Sequence, residues 1–157
     1  MPPGAAPALW TNAVPAAAEP VALLETIDGD TIEVRREDGT VERVRLVGID
    51  TPETGLGSPP LECYGPEASR FTADLLAGAD GAVYLEKDVE ERDRYGRLLR
   101  WVWFEADGRP YLANAAITRA GFAERYRDTP NRRYVDDVIA AEAFAREHAF
   151  EMWAACG

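Results

Sequence analysis

The sequence predicts an α+β fold: a small closed β-barrel of five strands packed by three α-helices. Three observations predict it. Three segments rich in β-branched residues open the body of the chain. Apolar residues recur at helical spacing in three later places. The resulting order, three strands, a helix, two strands and two helices, fits a five-stranded barrel of the OB type.

The strands fall at Val21 to Ile27, Thr31 to Arg36 and Val41 to Ile49, with Asp38-Gly39 as a hairpin pair between the last two. Gly65-Pro66-Glu67 begins the first helix, since proline in a first turn gives up an N–H that would have no partner anyway. Ala68, Phe71 and Leu75 share a face, and Gly78 suits the stop. Ala82 to Asp88 and Arg97 to Phe104 return to strand. After a turn at Asp107-Gly108, Leu112 to Ala120 reads as a helix ended by Gly121. Val138, Ala141, Ala145 and His148 are spaced as a third helix from Tyr134 to about Ala149, with His148 expected as a packed or half-exposed structural residue.

The chain has 157 residues, enough for one domain with a full core and too few for two. No apolar run approaches the roughly 20 residues that span a bilayer. Residues 1–20 hold five prolines, seven alanines and no basic residue, so they lack the positive region of a secretory signal and read as a flexible lead to a domain over 21–157. Net charge is −11, which argues against holding nucleic acid through a generally basic surface. Lys87 is the only lysine, so arginine supplies nearly all the positive charge. With one histidine, His148, and two serines, Ser58 and Ser69, paired-histidine catalysis, multi-histidine zinc sites and a serine-hydrolase elbow are excluded. An enzyme built on this chain has carboxylates, arginines and tyrosines to work with, whether or not a metal joins them.

Three short segments concentrate those residues. Asp28-Gly29-Asp30-Thr31 is, taken alone, a tight turn between strands. Arg45 to Glu53 is an apolar strand that carries an arginine and ends in two carboxylates around Pro52, a costly arrangement if nothing binds there. An ion pair between Arg45 and Glu53 would be its purely structural use. Asp93-Arg94-Tyr95-Gly96-Arg97 is a charged turn leading into the strand of Trp101 and Trp103, and alone could be an ordinary hairpin.

Together with Tyr64-Gly65-Pro66-Glu67-Ala68-Ser69 and with Asn114 followed by Gly121-Phe122-Ala123, these segments resemble the staphylococcal nuclease (thermonuclease) family from about Val21 to Trp153. The family fold, a five-stranded OB barrel with three helices, matches the order read above. The resemblance implies a calcium-dependent phosphodiesterase acting on DNA and RNA and leaving 3′-phosphate ends. Asp30 and Asp50 would be carboxylate ligands of Ca²⁺, with Thr51 supplying its carbonyl. Glu53 would be the general base, and Arg45 and Arg97 would grip the phosphate. Tyr95, which matches a family position directly, and Tyr126 would stack on the base, although Tyr126 could equally cover the barrel edge. Ca²⁺ takes oxygen ligands in a loose shell, so the lack of a His/Cys cluster is expected.

Some exported bacterial members resemble this chain in carrying cysteines at the places of Cys63 and Cys156, where a bridge would tie the C-terminal helix to the barrel; two free thiols are the alternative. A bridge places the protein outside the cytosol, secreted or in the cell envelope. Thr54 to Glu62 is Gly/Pro-rich and acidic where the best-known member bears lysines. The expected partners are DNA and RNA, with single strands preferred because of the net charge, and the expected state is a monomer. Related domains that bind nucleic acid or methylated arginine, or that only contact proteins, keep the barrel and lose the catalytic residues. Retention of Asp30, Arg45, Asp50, Glu53 and Arg97 together favours the enzyme.

Overall fold

The computed structural model describes residues 11–54, 62–78 and 82–156. Part of the expected lead, residues 1–10, and most of the Gly/Pro-rich segment, residues 55–61, lie outside the described residues.

Strand β1 (Glu19–Asp28) is long enough to serve two neighbours. Its first residues pair with β5 (Val83–Glu86), and from Ala22 onward it pairs with β2 (Thr31–Arg35), both antiparallel. Register shifts between Leu23 and Glu25 and between Thr26 and Asp28 bend the strand, as bulges do, so that it can turn the barrel wall. β3 (Val41–Leu46) follows β2 across the Asp38-Gly39 turn, where Gly39 has φ +89°. β6 (Leu98–Ala106) pairs antiparallel with β5 and parallel with β3, which closes five strands into a barrel in the order β3-β2-β1-β5-β6. Ile32, Val34, Val44, Leu46, Leu85 and Val102 are buried within it.

Several elements differ from the sequence pattern. The third strand, expected to run to Ile49, breaks at Val47-Gly48; Ile49–Asp50 forms a separate β4 that pairs with β8 (Glu124–Arg125). The break follows from packing: Gly48 has φ +78°, and a Cβ there would lie 2.9 Å from the Trp101 ring. β7 (Arg109–Leu112) adds a sixth strand on the edge of β6, its pattern hidden by Pro110. β1 begins at Glu19, whose carboxylate takes a 2.7 Å bond from Arg36, and the Thr11 N–H donates to the Pro110 carbonyl. Thr11 and Glu19, within the expected lead, thus contact the rest of the fold.

Helix α1 (Gly65–Ala77) buries Ala68, Thr72 and Leu76, with Phe71 and Leu75 partly buried beside that stripe. α2 (Ala113–Arg119) is buried throughout and is covered by α3 (Val135–Glu147) through Val138, Ala141 and Ala145. His148 is not on that packed face. It stands exposed at the end of α3, stacked on Phe144 with ring centroids 4.1 Å apart. A short α4 (Met152–Ala155) carries the chain to Cys156, which is bonded to Cys63 just before α1.

The bridge closes a loop of 93 residues. Ellman's reagent in denaturant without reductant is expected to find no free thiol among Cys63 and Cys156. Reduction is expected to lower unfolding stability by up to about 4–5 kcal/mol, the chain-entropy figure for a loop of that length, as read from urea unfolding. Two titrating thiols in the unreduced protein would refute the bridge.

Candidate active site

The turn between β1 and β2 is built from below and from the side. Thr72 on α1, fully buried, donates its hydroxyl to the Gly29 carbonyl at 2.7 Å. Gly29 lies against Thr51, whose side chain would be 2.9 Å from any Cβ at that position. The turn is thereby clamped between a helix and the segment after β4. It presents Asp30, which is only 6% exposed.

The Asp30 carboxylate has three partners. Its Oδ1 accepts from Thr31 Oγ1 at 3.1 Å, its Oδ2 accepts from the Thr51 N–H at 3.1 Å, and Arg45 Nη2 lies 3.4 Å from Oδ2. Barrel register brings the arginine there, because Thr31 and Arg45 are cross-strand partners. The structural pairing imagined for Arg45, with Glu53, is therefore replaced by one with Asp30. Arg45 also donates to the Leu46 carbonyl and stands 5.9 Å from the Tyr126 ring centre.

Asp50 and Glu53 complete an anionic edge. Burial, and next the neighbouring charge of Asp30, push the Asp50 carboxyl up to about 6. Glu53 is also raised, first by burial and then by the charges of Asp28, Asp30, Asp50 and Glu62. Crowding of this kind favours a bound cation, which would relieve the repulsion. The donors are all oxygen, the Thr51 hydroxyl is buried without a partner, and this set suits a hard divalent ion. Among the described residues no three His, Cys, Asp or Glu side chains form a metal-ligand cluster, and the expected set of two carboxylates and one carbonyl needs none.

On the other side of Arg45 opens a cavity of about 440 Å³ lined by Arg45, Arg97, Tyr95 and Tyr126 together. Arg97 is held by Asp93, which accepts from its Nε at 2.7 Å, and its Nη1 lies 3.5 Å from Thr31 Oγ1. Tyr95 is 69% exposed, with the Arg97 guanidinium 5.5 Å and that of Arg94 4.9 Å from its ring centre. Tyr126 reaches the same cavity because its N–H donates to the Gly48 carbonyl at 2.9 Å. Asn114 fixes that turn from inside, donating to the Val47 carbonyl and accepting from the Val102 N–H.

The model of the staphylococcal nuclease homologue family matches residues 43–155, most of the chain. The chain belongs to that family. Thermonuclease of Staphylococcus hyicus is 36% identical over 131 residues, 83% of this chain and 73% of that protein. Thermonuclease of Staphylococcus intermedius is 38% identical over 127 residues, 81% and 71% respectively. Endonuclease YncB of Bacillus subtilis is 34% identical over 139 residues, 87% and 63%. In this staphylococcal nuclease homologue the family match covers Arg45, Asp50, Thr51, Glu53, Tyr95, Arg97 and Tyr126. Asp30 precedes the matched residues and is placed beside Arg45 and Thr51 by the barrel.

Reasoning from sequence missed the supporting residues. Asp28 accepts from Thr54 Oγ1 at 2.7 Å, and Glu62 accepts from the Glu53 N–H at 2.9 Å. Asp93 was visible only as part of a turn. Its Oδ1 accepts from the N–H groups of Tyr95 and Arg97 while its Oδ2 holds the Arg97 guanidinium. Burial pushes the Asp93 carboxyl up, but the bonds from the Arg97 N–H and side chain, then the charge of Arg97 and the Tyr95 N–H, outweigh it, and the net shift is downward. A depressed folded value means that the stabilisation is complete above the unfolded pKa of about 4 and is lost as pH falls through the folded one. Carboxyl titration by NMR is expected to give Asp93 a midpoint below the ordinary aspartate range, with Arg97 losing its ordered Nε–H signal over the same interval. A midpoint at or above the ordinary value would contradict the anchoring role.

Proposed function

We propose that this protein is a calcium-dependent nuclease that hydrolyses phosphodiester bonds in DNA and RNA and leaves 3′-phosphate ends. Membership of the staphylococcal nuclease homologues makes it a phosphodiester hydrolase; the substrates, metal and products are the proposal. One observation carries it: Asp30 joins the anionic edge of Asp50 and Glu53 to Arg45, which with Arg97 lines the neighbouring cavity. The names thermonuclease and endonuclease borne by the relatives point the same way.

Asp30, Asp50 and the Thr51 carbonyl would hold Ca²⁺. When bound, the ion supplies a positive charge beside the non-bridging oxygens as they gain negative charge. Glu53 takes the proton of the attacking water at its carboxylate, and its raised pKa improves it as a base near neutral pH. Arg45 and Arg97 give forked, charge-assisted hydrogen bonds to the phosphate, and their anchors Asp30 and Asp93 fix them before substrate arrives. Tyr95 and Tyr126 offer rings on which a base stacks.

Magnitudes divide the work. Slow phosphate-ester hydrolysis requires on the order of 20 kcal/mol from an enzyme, and a general base gives about 10²- to 10⁴-fold, or roughly 3–5 kcal/mol. Electrostatics and positioning must provide most of the rest. Arg45→Ala and Arg97→Ala are therefore expected to lose at least as much kcat/KM as Glu53→Gln on an oligonucleotide. Near-wild-type turnover in either arginine variant would sink the assignment.

The disulfide supports export to an oxidising compartment, and no helix among the described residues is long and apolar enough to cross a membrane. We read the working unit as a monomer. Incubation with single-stranded and duplex DNA and with RNA, in Ca²⁺ and in chelator, is expected to give 3′-phosphate ends only with Ca²⁺ and faster attack on single strands. No cleavage with any divalent metal would overturn the nuclease reading, and tight metal-free binding to duplex would overturn the strand preference.

A further inference from the structure

The peptide of Glu53 is gripped on both sides by one residue. Glu62 Oε1 accepts from the Glu53 N–H at 2.9 Å, and the Glu62 N–H donates to the Glu53 carbonyl at 3.1 Å. The Glu62 carbonyl in turn accepts from the Gly65 N–H at 3.0 Å. Gly65 packs its bare Cα against the same Glu53 carbonyl, where a Cβ would come within 1.9 Å of the oxygen. Glu53 is therefore seated against the start of α1 by a clasp whose side-chain half is supplied by Glu62.

The clasp is anchored covalently. Glu62 is followed by Cys63, bonded to Cys156 near the end of the chain, and Tyr64 adds a 3.0 Å hydrogen bond from its hydroxyl to Glu151. Glu62, Cys63 and Cys156 line one cavity of about 290 Å³ with Asp50 and Thr51, so the bridge is part of the wall beside the anionic edge. Glu62 itself is exposed, and a bond open to water adds little to folding. Its consequence is orientation.

We propose that Glu62, held in place by the Cys63–Cys156 bridge, is the positioning residue for Glu53 in phosphodiester hydrolysis. This rests on Glu53 being the base. The argument is geometric: with the peptide groups on both sides of its Cα hydrogen-bonded to Glu62, the Cα–Cβ direction of Glu53 is set before substrate arrives. A misplacement of about 1 Å in a reacting group can cost on the order of 10²-fold. Glutamine at position 62 keeps an oxygen that can accept the Glu53 N–H, whereas alanine keeps only the backbone half of the clasp.

The test compares Glu62→Ala, Glu62→Gln, Glu53→Gln and the double variant Glu53→Gln/Glu62→Ala, assayed on a single-stranded oligonucleotide with saturating Ca²⁺. Amide exchange at the residue 53 N–H is followed by NMR in the same proteins without substrate. Expected for Glu62→Ala is a fall in kcat of about tenfold with KM within about twofold, unchanged unfolding behaviour, and faster exchange at Glu53. Glu62→Gln is expected to recover most of the rate and the protection. In the Glu53→Gln background, Glu62→Ala is expected to cost nothing further. An equal fold-loss in both backgrounds, or an unchanged kcat, overturns the proposal. If Glu53→Gln alone is fully active, the base assignment fails and the proposal with it, while protection at Glu53 still reports whether the clasp exists. Reduced, folded protein is expected to shift both readouts as Glu62→Ala does; unchanged kcat and protection would remove the bridge from the device.

Discussion

One nearly buried carboxylate sets the terms for the rest of the molecule. Asp30 is 6% exposed and faces Asp50, and taking such a charge out of water costs several kcal/mol unless it is paired and hydrogen-bonded. Each compensating group needs a different piece of the fold. The Thr31 hydroxyl comes from the start of β2, Arg45 from the opposite position on β3, and the Thr51 N–H from the segment after β4. Barrel register, the break after β3 and the packing of Thr72 beneath Gly29 all have to hold for the charge to be tolerated. The site is a consequence of the barrel closing correctly.

The five barrel strands, the first three helices and the disulfide pair were legible because they rest on local pattern, turn residues and a resemblance carried by ordered motifs, whereas β4, β7 and β8 were not. Asp30, Arg45, Asp50, Glu53 and Arg97 could be singled out because they sit in short segments that, although each alone has an ordinary structural reading, occur together in the order of the family's motifs. What stayed hidden depends on partners distant in the chain. Gly48 must adopt a positive φ because the Trp101 ring closes over it, and no local pattern announces that. The partner of Arg45 turned out to be Asp30 because strand register decides such pairings, whereas sequence proximity had suggested Glu53. Asp28 accepts from the Thr54 N–H and Glu62 from the Glu53 N–H, and a carboxylate that accepts from a peptide N–H has no sequence signature of its own.

Both arginines of the site are held before any phosphate arrives, Arg45 by Asp30 and Arg97 by Asp93. Such anchors weaken each cation's pull at long range, since part of its charge is already answered. In the proposed reaction they would also remove the cost of ordering a long side chain when the phosphate binds, leaving the donors in fixed directions. The same trade runs through Tyr95, whose ring lies near two guanidinium groups while most of its surface remains open to a base.

The charge of −11 takes on a sharper meaning at this cavity. Its lining includes Arg45, Arg94 and Arg97, but also Glu90, Asp93 and Asp128, so the formal charges of its wall cancel. Asp30 and Asp50 beside it add negative charge. Arg133 does not reverse this, because it is paired with the buried Glu86, 3.2 Å away. Within the roughly 10 Å over which charges act at 0.1 M salt, a phosphate diester would therefore meet little net attraction from protein alone. Arginine forks can orient such a group once it is close, yet they cannot outweigh the field that opposes its approach. A divalent cation between Asp30 and Asp50 would change the sign of that local balance, so the proposed metal would serve association through the same side chains as chemistry.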